Sequence, residues 1–357
     1  MSLKEIMSKT MISQNKGSLT RVSRLLFKGE QYGHSTKYVF FLVLLAIFPG
    51  LVSSYQLDLL SKFLTFSILA LSLDLIWGYA GILSFAHSIF FGLGSYGLAL
   101  TLKYWGHIPG ATYIGLVLAV GLPSFLAFVI GYAMFFRRVG GVYFAIVTFA
   151  LGGILHSVTI VWIRFTGGLN GLYGFPNPRL GVPGIWEVEM TTGMVGTYYL
   201  IAAVLVLIYI LTHRWMRSPF GQILRAINDN EERVESFGYN VPVVKLVTFV
   251  TSCAIAGISG ALYVPVGFVS ADIMGVLFST SIIVWVAVGG RGTLFGPVLG
   301  ALVVNYLQVY MSDLLVFYWY LIIGLFFVFV VLFWPDGIVG ISNRIAQRIR
   351  NRLKDSV

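Results

Sequence analysis

The sequence predicts an all-α integral membrane protein, a polytopic helical bundle with about ten transmembrane segments. Of its 357 residues, 57% are hydrophobic and only 11% are charged, and its mean hydropathy is +0.86. Soluble domains carry about 25% charged residues and about 45–50% apolar ones. The composition therefore argues against a soluble enzyme, a disordered chain and a nucleic-acid-binding protein. The single cysteine, Cys253, excludes a disulfide framework and a cysteine-rich metal site.

Ten apolar stretches predict the spans, because about 20 apolar residues cross the hydrocarbon core as a helix. The stretch 274–288 is short enough to be a tilted, broken or re-entrant helix, and Gly92, Gly94 and Gly97 are expected sites of interruption in another. A bundle of eight or nine full spans is therefore the alternative to one of ten. The stretches are 38–53, 57–77, 82–105, 113–136, 139–163, 195–212, 246–268, 274–288, 294–311 and 315–334.

The positions of lysine and arginine predict that both termini are cytoplasmic. Seven basic residues precede the first stretch and five follow the last. With ten alternating spans, 20 basic residues lie inside and only Lys103, Arg164 and Arg179 lie outside. The net charge of +10 then reflects topology and contact with anionic lipid, and it does not indicate a nucleic-acid surface.

Three regions follow from this topology. Residues 1–37 form a basic cytoplasmic leader, either an amphipathic helix on the inner membrane surface or a disordered tail. Residues 38–340 form the transmembrane domain, and residues 341–357 form a basic cytoplasmic tail. The external loop 164–194 is rich in glycine and proline, which predicts turns and no regular helix.

The cytoplasmic segment 214–243 has the features of two short capped helices. Ser218 suits an N-cap and Pro219 suits the first helical position. A second helix is expected after residues 228–230, with acidic residues in its first turn and Gly238 just past its end. The pair indicates a docking element, or alternatively surface helices without a partner. The apolar stripe of the first helix consists of Ile223, Leu224 and Ile227.

The sequence has no motif for chemistry of its own. It contains no Gly-Lys pair and hence no nucleotide-binding P-loop, no HExxH sequence and no nucleophile elbow. We therefore expect a transport subunit that is not an enzyme and binds no cofactor. Any ATP must be used by partner subunits.

Ionisable residues inside the spans are few. Asp74, near the inner interface, is expected to bind backbone or a neighbouring basic residue. His87 is a candidate for a substrate path, or for a simple interhelical hydrogen bond. The absence of paired intramembrane carboxylates disfavours an ion-coupled carrier and favours a separate motor. At the inner interface, the run Gly290, Arg291 and Gly292 suits a conformational role or contact with lipid headgroups or a partner.

Several runs, in the same order, resemble the LivM family of ABC-importer permeases, and the resemblance covers residues 38–340. The stretch 281–306 is most similar to the UrtC-type permease of urea transporters. One departure is Ala86-His87-Ser88, where relatives often have Gly-His-Gly. The runs are GYAGILSFAHSIFFGLGSYG (78–97), RRVGGVYFAIVTFALG (137–152), TGGLNGL (166–172), RSPFGQILRAINDNEERVESFGYNV (217–241), IAGISGALY (255–263) and GGRGTLFGPVLGA (289–301).

The resemblance implies a multi-pass permease subunit in the bacterial inner membrane. It implies a second homologous permease of the LivH or UrtB type, two ATPase subunits, an extracytoplasmic binding protein and membrane lipid as partners, without nucleic acid. The predicted substrate is urea or a short amide. The alternative is a branched-chain amino acid, for which glycine breaks near 92–97 and 289–292 would supply half-helix ends. A stand-alone carrier or channel is disfavoured.

Two sets of residues are predicted to carry these roles. The substrate path, for which ordinary helix packing is the alternative, is predicted to include Phe85, His87, Tyr143, Thr148 and Trp285. Coupling to the ATPase is predicted to use Ser218, Pro219, Gly221, Arg225, Asp229, Glu232 and Gly238.

Overall fold

A computed structural model describes residues 45–50, 52–182, 186–314, 324–325 and 337–340. The chain divides into two compact units, residues 1–52 and 53–357. The described part of the first unit contains a 3-10 helix, Phe48–Gly50. The predicted leader and tail, most of the stretch 38–53 and nearly all of the stretch 315–334 lie outside the described residues.

In its described residues, the second unit is built from helices with one small β-hairpin. Two further 3-10 helices, Gly168–Asn170 and Ala271–Met274, interrupt the connections. The helices are α1 (Ser54–Ala80), α2 (His87–Trp105), α3 (Ala111–Phe135), α4 (Gly141–Val161), α5 (Ile163–Thr166), α6 (Val195–Arg217), α7 (Pro219–Asp229), α8 (Glu231–Ser236), α9 (Val241–Tyr263), α10 (Val276–Gly289) and α11 (Phe295–Leu314), and the strands are β1 (Arg179–Val182) and β2 (Trp186–Glu189).

Six of these helices are long and apolar enough to cross a membrane: α1, α3, α4, α6, α9 and α11. This confirms the polytopic helical bundle. The count of about ten spans and the cytoplasmic position of both termini stay predictions. We call the side that carries α7 and α8 the inner side, following the predicted topology.

Helix α1 forms the centre of the bundle, because 83% of its most apolar 18-residue stretch is buried. It packs against α6, α9, α10 and α11, while α9 also packs against α2 and α3. Small residues permit the close contacts, because a methyl group added to Gly94 would lie 2.2 Å from the carbonyl oxygen of Gly257. In contrast, only 22% of the most apolar 18-residue stretch of α4 is buried, so α4 lies at the edge of the bundle.

The predicted interruption at Gly92–Gly97 is wrong, because α2 runs unbroken from His87 to Trp105. The chain instead leaves helical conformation between α1 and α2, where Gly81 has a φ of 70°. The short helix predicted near 274–288 is confirmed as α10. Its 14 residues span about 21 Å, less than the hydrocarbon core of about 30 Å.

The external loop is largely irregular, as predicted, but it also contains a hairpin that the glycine and proline content does not predict. Strands β1 and β2 are antiparallel, with Arg179 opposite Glu189. The hairpin is fixed to the start of α3, since the Arg179 amide donates to Thr112 Oγ1 at 3.0 Å and the Gly181 amide donates to the Tyr113 hydroxyl at 2.9 Å.

Candidate functional site: two helices that begin inside the bundle and an inner docking element

The connection between α1 and α2 returns into the bundle and is held there by hydroxyl groups. The Phe85 amide donates to Thr148 Oγ1 of α4 at 3.2 Å, and Ser279 Oγ of α10 donates to the Phe85 carbonyl at 2.6 Å. Ser88 Oγ lies 2.5 Å from Ser279 Oγ. The break is therefore fixed to two other helices through the backbone of Phe85, whose ring packs edge-on against Phe149.

His87, the first residue of α2, joins three helices. Its Nε2 lies 2.8 Å from Ser252 Oγ of α9, and the Ser252 hydroxyl donates to the Ser72 carbonyl of α1. Because the one hydroxyl proton is used there, Ser252 Oγ accepts from His87 Nε2–H. This geometry favours the interhelical bond among the two roles expected for His87.

The position of Ser252 also shows how deep α2 begins. Ser252 lies in the middle of α9, eleven residues after Val241, which corresponds to about 16 Å along that helix. Helix α2 thus starts well inside the bundle, and α10 starts there as well, since Ser279 in its first turn donates to the Phe85 carbonyl. Two helices with N-termini inside a membrane bundle are the arrangement that transporters use to bind polar substrate groups.

The five residues predicted for the substrate path do not form one cluster. Phe85 and Thr148 are in contact, and His87 lies beside them on the chain. Trp285 is buried elsewhere, stacked on Phe66 with ring centroids 5.0 Å apart, and Tyr143 is 73% exposed on α4. Ser279 is not among the predicted path residues. A hydroxyl residue within the short apolar stretch 274–288 is the sequence signal that identifies it.

The inner loop after α10 is organised by Asp74 of α1, which is fully buried. Its two carboxyl oxygens accept from the amides of Gly292 at 2.6 Å and Leu294 at 3.1 Å. The expectation that Asp74 binds backbone is confirmed. Gly290 and Gly292 have φ angles of 113° and 74°, which favour glycine, and Arg291 is exposed.

The predicted docking element contains the two expected helices, α7 and α8. Ser218 precedes α7 at the N-cap position, but its hydroxyl does not cap that helix: it donates to the Trp215 carbonyl at 2.6 Å. The reason is that Ser218 also ends α6, whose last carbonyls need donors. Asn230 caps α8 through a bond from the Arg233 amide at 2.9 Å, and Gly238 follows with the expected positive φ of 87°.

Helix α7 lies against the inner ends of α1 and α6. The Arg225 guanidinium donates to the Met216 carbonyl at 2.8 Å and lies 5.4 Å from the centre of the Tyr79 ring. Leu224 and Ile227 of the predicted stripe are buried, and Ile227 packs with Val234 and Val241. Asp229 and Glu232 are exposed, which leaves them free to meet a partner.

Two ion pairs connect α8 to the spans. Lys245 Nζ of α9 lies 2.5 Å from Glu231 Oε2, with the lysine side chain only 9% exposed. Arg138, in the turn between α3 and α4, lies 3.5 Å from Glu235, and its side chain is 78% exposed. A displacement of α8 would therefore be transmitted to α9 mainly through the Lys245 pair, in which the lysine is buried and the Glu231 side chain is 46% exposed.

We expect Glu231→Ala to lower the stability of the purified protein by about 1–3 kcal/mol, because it leaves the buried Lys245 ammonium without its partner. The melting temperature in detergent measures this loss. Arg138→Ala is the matched control, since breaking the exposed pair should cost less than about 0.5 kcal/mol. Equal losses from the two changes would contradict the assignment.

Residues 55–331 match the family model described as "Branched-chain amino acid transport system / permease component". The chain is 27% identical over 335 residues to the high-affinity branched-chain amino acid transport system permease protein LivM of Escherichia coli (strain K12), covering 87% of this chain and 77% of the relative. It is 28% identical over 320 residues to LivM of Salmonella typhimurium, covering 85% and 74%. It is 26% identical over 285 residues to a probable LivM of Methanocaldococcus jannaschii, covering 69% and 79%. No solved structure gives a significant match to the chain.

Proposed function

The chain belongs to the family of permease components of branched-chain amino acid transport systems, and from this premise we propose that it forms part of the path by which an ABC importer carries branched-chain amino acids. Family membership and the six membrane-spanning helices make it a multi-pass inner-membrane protein and a transport component. The substrate, the partners and the residues of the path are the parts that we propose.

The observation that supports an amino acid is the pair of helices, α2 and α10, whose N-termini lie inside the bundle. A zwitterionic substrate needs a partner for its carboxylate, and the positive end of a helix dipole supplies one without a buried charge. Urea has no charge and does not require such an end. The preference for urea rested on residues 281–306, and the LivM relatives named above do not support it, so the amino-acid alternative is the better proposal.

The partner subunits of the importer are proposed from the inner docking element. One of the two ATPase subunits would contact α7 and α8, where Asp229, Glu232 and, just after α8, Phe237 are exposed. Closure of the ATPase subunits on ATP would move α7 and α8. Their contacts with α1, α6 and α9 would carry that motion to α2 and α10, the two helices that begin inside the bundle. A second homologous permease would complete the path, and an extracytoplasmic binding protein would deliver the substrate.

Uptake of labelled leucine in cells that carry the complete transporter, with and without this chain, tests the proposal. We expect deletion of the chain to abolish leucine uptake, and excess isoleucine to compete while excess urea does not. The matched control is the same strain complemented with the intact chain. Uptake of labelled urea that depends on this chain and resists competition by leucine would overturn the proposal in favour of the urea transporter.

A further inference from the structure

An apolar cavity of about 650 Å³ lies between α2, α3 and α4, toward the outer side of the bundle. This volume is in the range of small-molecule sites. Met274, the last residue before the N-cap of α10, forms part of its wall. The cavity is thus next to the start of α10, one of the two helices that begin inside the bundle. The lining residues that matter here are Leu93, Tyr96, Leu100, Leu118, Leu155 and Met274.

Two buried polar atoms near this wall have no hydrogen-bond partner within the described ranges of the chain. One is the hydroxyl of Tyr96, a residue that lines the cavity and is only 5% exposed. The other is Nε2 of His156 on α4, which lies 3.6 Å from the position that a Cβ on Gly275 would occupy. Buried polar groups normally have partners, so these two atoms point to a polar group that the described part of the chain does not supply.

The N-terminus of α10 is also without a side-chain partner. Gly275 is its N-cap residue, and no side chain of a described residue caps the helix. The first amides have no acceptor within the helix, and the helix dipole favours negative charge there. Asp272, in the 3-10 helix just before, is exposed and provides a carboxylate for an ammonium group.

The depth of Tyr96 distinguishes a substrate from a lipid. Trp105 and Trp162 line the same cavity, and tryptophan is typical of the membrane interface. Tyr96 precedes Trp105 by nine residues on α2, which places it about 13 Å deeper along the helix. A phospholipid would bring only its hydrocarbon tail to that depth, and a tail cannot satisfy a hydroxyl or a helix N-terminus.

We propose that the N-terminus of α10 and the adjoining cavity form a subsite for the transported amino acid, with the carboxylate at the α10 amides and the Tyr96 hydroxyl, and the aliphatic side chain in the cavity. The inference rests on the proposed function and adds to it the place and the chemistry of recognition. It uses none of the five residues that sequence analysis predicted for the path.

The decisive variant is Gly275→Asp in the complete transporter. The backbone of Gly275, with φ of −67° and ψ of 160°, suits an N-cap aspartate, whose carboxylate would occupy the α10 amides and repel that of the substrate. We expect leucine uptake to fall about tenfold or more. Because Gly275 is buried and a Cβ there would lie 3.0 Å from the Asp272 carbonyl oxygen, the melting temperature is measured on the same variant. Gly196→Asp is the matched control, because Gly196 is exposed in the first turn of α6 and has nothing near its Cβ position.

Two further variants test the subsite independently. Tyr96→Phe should raise the KM for leucine about tenfold while the maximal rate changes less than about twofold, because a bond to a charged substrate group is lost. Leu155→Trp should fill the cavity and reduce leucine uptake, whereas Leu207→Trp, at a 55% exposed position on α6, should not.

The outcomes separate this subsite from the transport function itself. Normal leucine KM in Gly275→Asp and Leu155→Trp, in a transporter that does carry leucine, would overturn the subsite and leave the proposed function intact. The same result with phospholipid retained in the cavity of the purified protein would assign the cavity to lipid and also overturn the subsite. Failure of the unmodified transporter to carry any branched-chain amino acid would overturn both.

Discussion

Asp74→Ala is expected to produce a large loss of stability. The carboxyl group of Asp74 is fully buried and accepts from the amides of Gly292 and Leu294. Without this carboxyl group both amides lose their acceptor, and a buried donor left unsatisfied costs about 1–3 kcal/mol, so the change should cost about 2–6 kcal/mol. Since whole domains are stable by only about 5–15 kcal/mol, little folded protein should remain in the membrane.

The measurement is the amount of folded chain in membranes, together with its melting temperature after purification. Asp74→Asn is the informative second variant, because it keeps one oxygen acceptor and should lie between the alanine variant and the unmodified chain. Asp229→Ala is the matched control at an exposed position, where substitutions usually change stability by less than about 0.5 kcal/mol. Equal stability of Asp74→Ala and Asp229→Ala would contradict the role of Asp74.

The case of Asp74 shows how far the sequence reaches. A lone carboxylate in an apolar stretch predicts a buried hydrogen-bonding role, since a charge is costly in the membrane. Its partners lie 218 and 220 positions away, and no spacing rule connects such positions. The local role is therefore predictable, whereas the contact depends on how α1 and the loop after α10 pack together.

The same distinction applies to the helices. The caps and proline of segment 218–240 are local signals, and they predict α7 and α8 correctly. The glycines at 92–97 are not a local signal for a break, because within a membrane bundle a glycine also permits close packing, as Gly94 does against Gly257. The actual break at 81–86 is maintained by Thr148 and Ser279 from distant helices.

The candidate subsite could not be predicted from the sequence at all. Tyr96 and Gly275 are unremarkable residues in apolar stretches, and His156 is one of the few ionisable residues in the predicted spans. Each has an ordinary packing role as its simplest interpretation. Only the packing of α2, α4 and α10 shows that two polar atoms are buried without partners beside an uncapped helix. The physical signal is an absence of partners, which exists only in three dimensions.

Gly221→Val is expected to abolish transport while the protein still inserts and assembles. A Cβ at Gly221 would lie 2.3 Å from the Met216 carbonyl oxygen and 2.5 Å from its carbonyl carbon. Both atoms belong to the backbone at the end of α6, so α7 must tilt away and the bond from Arg225 to the same carbonyl must stretch or break. The surface proposed to meet the ATPase would then be displaced, although the spans keep their contacts.

The measurement is ATP-dependent leucine uptake by the reconstituted complex, with ATP hydrolysis and complex assembly recorded on the same preparation. We expect uptake to fall about tenfold or more, which corresponds to about 1.4 kcal/mol or more of lost coupling, while hydrolysis continues.

Arg225→Ala should give a smaller loss, because it removes the bond to Met216 without a steric clash. Gly121→Val is the matched control, since Gly121 is exposed on α3 with nothing near its Cβ position. Normal uptake by Gly221→Val would mean that the position of α7 does not control transport, and the coupling role would then have to lie with another inner surface.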